Sequence, residues 1–145
     1  MDPMHPAPPT WDELLGQTLL GIDYGSRRIG VAIKPAGQDW VLPKTVIQVE
    51  SEPAAAAALQ ELIAREKAEG VVVGLPEHPD TRQARDVKRF CRRVRRDLTG
   101  VRWFFVDERF TTEAAHSISI DRPRRRPSDD LAATLILETF LQRCR

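Results

Sequence analysis

A continuous apolar run near the middle of the chain constrains the fold more than any other feature of the sequence. The run VVVGLP covers residues 71–76 and lies between two segments with helical character. A strand with no polar residue on either face is typical of the centre of a sheet that helices cover on both sides. The sequence therefore predicts an α/β fold with this strand at its centre.

Three strand-like segments precede this run, and helix-linked segments follow it. LLGIDYG, RIGVAIKP and VLPKTVIQV are rich in β-branched residues and are joined by short turns, which predicts an antiparallel meander. After them we predict a helix over PAAAAALQELIAREKAEG, the strand VVVGLP, an amphipathic helix over 81–98, a strand over 101–106, and helices at TTEAAHSISI and after Ser128. This order predicts a five-stranded mixed sheet of three antiparallel and two helix-linked strands, with helices on both faces.

Length and composition indicate one compact domain. The chain has 145 residues, of which 41% are hydrophobic, and this is enough to form a single hydrophobic core without disulfides or a structural metal. We expect residues 18–145 to form this domain and the Pro-rich residues 1–17 to be a flexible extension. The two cysteines lie far apart in the sequence. The sequence also has no apolar run long enough to span a membrane and no start typical of an export signal, so we predict a cytoplasmic protein.

The net charge of +1 conceals a strong asymmetry along the chain. Residues 1–80 carry 6 basic and 12 acidic side chains, whereas residues 81–145 carry 16 basic and 9 acidic ones. The basic residues 81–145 could form a surface that binds polyanions, although folding can bring the opposite charges together again.

Asp23 interrupts the otherwise apolar first strand. A carboxylate within a sheet is costly to bury unless a partner compensates its charge. Backbone N–H groups of the following turn could satisfy it, and coordination of a metal ion is the alternative.

Further acidic residues stand where the fifth strand ends and where the last helix begins. Asp107 and Glu108 follow VRWFFV, at the edge of a parallel sheet where ligand crevices form, and only one of the two can readily share a face with Asp23. A turn with a local ion pair is the other interpretation. Asp129 and Asp130 occupy a first helical turn, where the helix dipole favours acidic residues without any function.

Convergence of these positions above the sheet predicts a metal site. Carboxylates that meet repel one another unless a cation neutralises them, and hard oxygen ligands suit Mg²⁺ or Mn²⁺. Two such ions could activate water and stabilise the leaving oxygen in phosphodiester hydrolysis. Asp23, one of Asp107 and Glu108, and one of Asp129 and Asp130 could together form such a metal site.

Arginine dominates the basic residues and indicates contact with phosphate. Guanidinium groups bind phosphate bidentately and can position a nucleic-acid backbone without reading its sequence. For the many Arg residues of the 81–98 helix, a solvated surface is an equally good interpretation. Seven other residues are our candidates for nucleic-acid contacts: Arg27, Arg28, Arg109, Arg122, Arg124, Arg125 and Arg126.

Four segments together closely resemble the YqgF family, also called RuvX: LLGIDYGSRRIGVAI, VVVGLP, VDERFTTEAA and SDDLAATLILETFL, over about residues 18–143. This is a family of Holliday-junction-resolvase-like proteins also assigned as pre-16S rRNA nucleases. The resemblance implies a ribonuclease-H-like fold and nuclease activity in the bacterial cytoplasm. It also implies that the metal ligands and catalytic residues are Asp23 of the first strand, Glu108 of the DER motif and Asp129, the motif aspartate of the last helix. Asp107 is an alternative ligand.

The chain departs from the family pattern at two places. EHPDTRQ follows GLP without the glycine that relatives usually carry, and the loop before the last helix is short and Pro-rich. Substrate contacts at these two places therefore do not transfer from relatives.

The sequence leaves the substrate and two other functions open. An rRNA precursor and a four-way DNA junction both fit, and junction cleavage would favour a homodimer because paired incisions need two sites. A nucleic-acid-binding protein without catalysis would need the Arg residues but not the carboxylates. IDYGSRRIGVAI also looks like the phosphate hairpin of actin-like ATP-binding modules, but those proteins close two domains around the nucleotide and 145 residues leave room for one.

Overall fold

A computed structural model describes residues 9–76, 81–107 and 129–145, and its elements follow the predicted order. The helices are α1 (Trp11–Leu15), α2 (Glu52–Glu66), α3 (Arg82–Arg95) and α4 (Asp129–Cys144). The strands are β1 (Leu19–Asp23), β2 (Arg28–Lys34), β3 (Leu42–Gln48), β4 (Gly70–Leu75) and β5 (Arg102–Asp107). The helix predicted at TTEAAHSISI, and Ser128 as a helix cap, lie outside the described residues.

The five strands form one mixed sheet in the order β3-β2-β1-β4-β5. β1, β2 and β3 are antiparallel neighbours, while β4 is parallel to both β1 and β5. The apolar run VVVGLP provides β4, which has a strand on each side and is buried almost throughout. The predicted mixed sheet is thus confirmed, and β4 is a buried interior strand between β1, the middle strand, and β5 at the edge.

The two faces of the sheet carry separate apolar cores. On one face, α2 and α3 pack against side chains such as Leu20, Ile22 and Trp103. On the other face, α1 and α4 pack against Leu19 and Phe104 and their neighbours. Successive residues of one strand therefore contribute to different cores, as the two-residue period of a strand requires.

Short polar signals fix where the helices begin and end. Ser51 Oγ accepts a hydrogen bond from the N–H of Ala54 at 3.2 Å, and Thr81 Oγ1 accepts one from Ala84 at 3.2 Å. These side chains satisfy donors that have no partner within the first helical turn. Lys67 ends α2 in a left-handed conformation, with φ 54°. Within the described residues, no helix combines the length and the apolar character needed to cross a bilayer.

Residues 11–15 differ from the flexible extension that we predicted over residues 1–17. They form α1, capped by Thr10, and Leu14 is fully buried against the α4 face of the sheet. Glu13 also contacts Arg102 of β5 at 3.2 Å. Burial of Leu14 and partial burial of Trp11 in the same core hold this segment against the sheet, although its composition is poor in apolar residues.

Lys34 ties the end of α1 to the sheet. Its side chain is fully buried, and Nζ donates to the carbonyl oxygens of Leu15, Pro35 and Gln38 at 3.1, 2.9 and 2.9 Å. Burial lowers the pKa of Lys34, and the nearby carboxylate of Asp39 opposes this shift. The carbonyl groups of Leu15 and Pro35 also accept backbone N–H groups, from Gly37 at 2.7 Å and Gln38 at 3.2 Å, so Lys34 is a second, charged donor to these two.

Replacing Lys34 by Met should lower the free energy of unfolding by about 2 kcal/mol, because three carbonyl groups would lose a charged donor. Urea denaturation followed by circular dichroism measures the change. Lys44→Met is the matched control: Lys44 is a third exposed and pairs with Glu66 at 2.7 Å. Lys44→Met should lower the free energy of unfolding by less than about 1 kcal/mol. An equal decrease in the two variants would contradict the role given to Lys34.

Candidate active site

Asp23 lies at the edge of the sheet where three parallel strands end. It is the last residue of β1, and the parallel neighbours β4 and β5 end at Leu75 and Asp107 on the same edge. Carboxyl ends of parallel strands are where ligand crevices form in open sheets. The structure therefore places Asp23 and Asp107 at the edge that the sequence analysis favoured.

Asp23 and Asp107 occupy opposite faces of the sheet. Leu19 belongs to the core under α4, and a Cβ on Gly21 would lie 2.8 Å from the Ala133 carbonyl oxygen of α4. By alternation Asp23 lies on this α4 face. In β5, Trp103 belongs to the core under α3, so the same alternation puts Asp107 on the α3 face.

Tyr24 supports this orientation of the strand end. Its ring packs against Phe90 of α3, with centroids 4.9 Å apart. Tyr24 therefore lies on the α3 side, as expected for the residue directly after one on the α4 side.

The direction of α4 brings its first residue to the Asp23 edge. At the other end of the helix, Arg145 lies 4.7 Å over the Trp11 ring and donates to the carbonyl of Asp39 at 2.9 Å. Trp11 precedes β1, so the carboxyl end of α4 lies at the amino end of β1. Asp129, at the amino end of α4, is thus directed towards the carboxyl end of β1.

Distances along the two elements agree with this placement. α4 crosses β1 where Gly21 meets Ala133. From that crossing, Asp23 lies two residues along the strand, about 7 Å, and Asp129 lies four residues back along the helix, about 6 Å. The backbones of Asp23 and Asp129 therefore lie in the same region above the sheet. The structure describes the backbone of Asp129 but not its side chain.

Asp130 has a local partner at the start of α4. Its carboxylate accepts a hydrogen bond from the N–H of Leu131 at 3.0 Å, and its carbonyl accepts one from the Thr134 hydroxyl at 2.9 Å. These contacts match the interpretation of an acidic residue that stabilises a helix start.

Two of the predicted phosphate contacts lie where the turn after β1 ends and β2 begins. Arg27 and Arg28 are exposed and stand directly beyond the Asp23 edge. A Cβ on Gly25 would lie 2.5 Å from the Arg28 carbonyl oxygen, so this tight turn requires glycine. The other predicted contacts lie outside the described residues: Arg109, Arg122, Arg124, Arg125 and Arg126.

The described residues do not contain the whole predicted carboxylate set. Glu108 stands outside them, and Asp129 is described by its backbone alone. Within ranges 9–76, 81–107 and 129–145, no group of three or more His, Cys, Asp or Glu side chains that could hold a metal ion is found.

Two glycines beside Asp23 were missed by the sequence reasoning. Gly30 of β2 is the registered partner of Asp23, and Gly74 of β4 comes one residue after Val73, the partner of Ile22. Both are buried. A glycine inside a strand marks a close approach of backbone or ligand, and neither residue places a side chain beside the carboxylate. The sequence feature that could have identified them is a glycine inside each of the strand-like segments RIGVAI and VVVGLP.

Charged side chains of α2 and α3 lie near Tyr24, the residue directly after Asp23. Arg89 of α3 contacts Glu52 of α2 at 3.3 Å and Asp86 at 3.1 Å. Burial, followed by the negative charges of Glu52 and Asp86, raises the pKa of the Tyr24 hydroxyl. Tyr24 therefore stays protonated and neutral at physiological pH, and it fixes the strand end from the α3 side.

Comparisons with known proteins agree with this architecture. The family model RuvX, described as a Holliday junction resolvase, matches residues 17–143. Proteins named "Putative pre-16S rRNA nuclease" from Rickettsia bellii and Moorella thermoacetica are each 37% identical to this chain. The alignments cover 85% and 86% of this chain and 84% and 94% of those proteins.

Solved structures of resolvases have the same fold. RuvC of T. thermophilus in complex with a Holliday junction substrate is 19% identical with a TM-score of 0.58, covering 88% of this chain and 95% of that one. The fowlpox virus Holliday junction resolvase is 10% identical with a TM-score of 0.57, covering 87% and 99%. These neighbours confirm the predicted ribonuclease-H-like fold. From the family match over residues 17–143 and the 37% identity to relatives over most of their length, it follows that the chain belongs to the RuvX family.

Proposed function

We propose that this protein is a divalent-metal-dependent endonuclease that hydrolyses phosphodiester bonds in structured nucleic acid, with a precursor of 16S rRNA as its substrate. The observation that carries the proposal is the placement of Asp23. Its carboxylate stands at the carboxyl edge of three parallel strands, on the face where α4 begins with Asp129.

The metal ligands in this proposal are Asp23, Glu108 and Asp129. Asp107 is the weaker choice because alternation along β5 puts it on the α3 face, away from Asp23. The donor set fits a hard cation, since it consists of carboxylate oxygens and leaves positions for water and phosphate oxygens. When bound there, Mg²⁺ or Mn²⁺ supplies Lewis-acid chemistry that lowers the pKa of water and offsets phosphate charge.

The chain's own residues position the substrate in this proposal. Arg27 and Arg28 stand at the Asp23 edge and contact phosphates next to the scissile bond. Arg109, Arg122, Arg124, Arg125 and Arg126 remain candidates on sequence grounds. Gly30 and Gly74 keep side chains away from Asp23, which lets the sugar-phosphate backbone approach its carboxylate.

The relatives' names favour an RNA substrate, and the family description keeps a four-way DNA junction as the second candidate. Cleavage of rRNA precursors places the protein in the cytoplasm. Symmetric junction cleavage would require a homodimer. Sedimentation of the free and junction-bound protein, together with the positions of the cuts, separates these two substrates.

The purified protein should cleave a 16S rRNA precursor fragment with Mg²⁺ or Mn²⁺, because its three carboxylates need a cation to approach a phosphate. Gel assays with labelled RNA and with a four-way DNA junction measure cleavage. Excess EDTA should stop the reaction and added metal should restore it. Undiminished cleavage in EDTA would contradict metal dependence.

The same preparation tests the two other functions. A binding protein without catalysis would retain substrate affinity and give no metal-dependent product. An ATP-binding module would show nucleotide binding by calorimetry without cleavage.

A further inference from the structure

One side of α3 and its C-cap carries a dense basic surface that the proposed catalytic centre does not use. Between residues 82 and 96 there are eight basic side chains and one acidic residue, Asp86, a net charge of +7. With 3.6 residues per turn, all eight fall within an arc of about 160° around the helix. We call them the α3 basic face: Arg82, Arg85, Lys88, Arg89, Arg92, Arg93, Arg95 and Arg96.

Packing against the sheet explains the other side of α3, whereas contacts within the fold, such as the ion pairs of Arg89, account for only part of the basic face. Ala84, Val87, Phe90, Cys91 and Val94 are buried in the core between α3 and the sheet. The first turn of α3 contains no acidic residue but begins with Arg82, although the helix dipole favours negative charge there. Like charges one turn apart also destabilise a helix by a few tenths of a kcal/mol each. Stability alone therefore does not account for this arrangement.

Much of this charge is left for an external partner. Arg89 pairs with Glu52 and Asp86. For Lys88, Arg92 and Arg96, no carboxylate in the described part of the chain lies within ion-pair distance. These three residues are four apart and form a line about 12 Å long. Arg92 and Arg96 are exposed.

We propose that the α3 basic face binds the phosphate backbone of a double-stranded RNA segment that flanks the cleavage site. This inference rests on the proposed function, since it takes the substrate to be structured RNA. The amino end of α3 lies at the sheet edge of Asp23, because α3 follows β4. RNA held along α3 can therefore extend from that edge along the opposite face of the sheet.

The chemistry of the surface favours an RNA duplex over other occupants. In A-form RNA the major groove is narrow, so phosphates of both strands face a broad basic surface while the bases stay out of reach. Arg provides seven of the eight cations, and its guanidinium groups bind phosphate bidentately. A second copy packed symmetrically on this face would set two rows of cations against each other.

The test compares two double variants that remove the same charge. Arg92→Gln with Arg96→Gln alters the α3 basic face, and Arg65→Gln with Lys67→Gln alters exposed cations around the end of α2. The probe is a labelled RNA duplex longer than α3, and its dissociation constant is measured by fluorescence anisotropy over a series of KCl concentrations. A DNA duplex of the same sequence forms the second arm.

The α3 pair should weaken RNA-duplex binding on the order of tenfold at low salt and reduce the slope of log K against log salt by roughly 2. The α2 pair should leave the slope unchanged. An equal change on DNA supports the phosphate contact as well, because neither polymer's bases are read. The proposal would be overturned if the α3 pair left the salt slope on RNA unchanged, or if it changed the slope on DNA alone. Equal effects of the α3 pair and the α2 pair would overturn it as well.

Folding and function are controlled separately. A pair with Arg92→Lys and Arg96→Lys keeps the charge and should retain most of the affinity and the slope. If the wild-type protein cleaves RNA but the α3 double variant binds the RNA duplex with an unchanged salt slope, this inference is refuted and the proposed function stands. Loss of the slope in a protein without nuclease activity refutes the function and retains the RNA-binding face.

Discussion

Replacing Asp23 by Asn is expected to reduce cleavage by ~10³-fold or more while the affinity for RNA stays within a few-fold of the original. Asn has nearly the same volume as Asp but cannot carry the negative charge that holds a cation at the end of β1. Phosphate contacts made by Arg residues do not depend on this carboxylate. Single-turnover cleavage and anisotropy binding on the same RNA fragment measure the two quantities separately.

Asp107→Asn is the matched control for this change. It stands on the same sheet edge and removes the same charge, but on the α3 face of the sheet. Its cleavage rate should fall by less than about tenfold, because alternation along β5 puts this carboxylate on the face of the sheet opposite Asp23. Equal losses in both variants, or full activity of Asp23→Asn, would reject the assignment of Asp23.

The periodicity of the sequence was sufficient to predict the sheet. The β-branched residues of RIGVAIKP and the short turns beside it indicated a strand of a meander, and the unbroken VVVGLP indicated a central strand between helices. The structure confirms both as β2 and β4. Hydrophobic period decides these features locally, so they can be read without knowing any long-range contact.

Features that depend on distant contacts could not be predicted. The order of α1 comes from Leu14 packing against the far end of the chain and from Glu13 meeting Arg102. The ion pair near Tyr24 requires Glu52 of α2 and Arg89 of α3 to approach each other across 37 positions in the chain. No local pattern specifies such pairs, because burial and charge partners depend on the complete fold.

The sequence identified the acidic positions but could not decide which of them share a face. It left Asp107 and Glu108 as alternatives at the end of β5. The register of the sheet then placed Asp107 on the side of α3 and Asp23 on the side of α4. Glu108 and Asp129 remain proposals as ligands, argued from the family motif and from the direction of α4.

Gly21 is the point where the position of α4 can be tested. A Cβ there would lie 2.8 Å from both the Ala133 carbonyl oxygen and the Leu137 Cβ, which belong to the helix itself. Neither atom can move without moving α4. Gly21→Ala should therefore lower the free energy of unfolding by about 1–3 kcal/mol. Urea denaturation gives this value directly.

The same substitution should impair cleavage beyond its effect on stability. A helix pushed outward at Ala133 carries Asp129 away from Asp23, and a displacement of about 1 Å in a reacting site can cost on the order of 10²-fold in rate. The rate is measured at a temperature where circular dichroism shows the variant to be fully folded. Gly16→Ala serves as the control, because its Cβ would meet only the Glu13 carbonyl at an ordinary 3.8 Å. Wild-type stability and rate in Gly21→Ala would show that α4 does not hold Asp129 over β1, and the carboxylate set would then need a different third member.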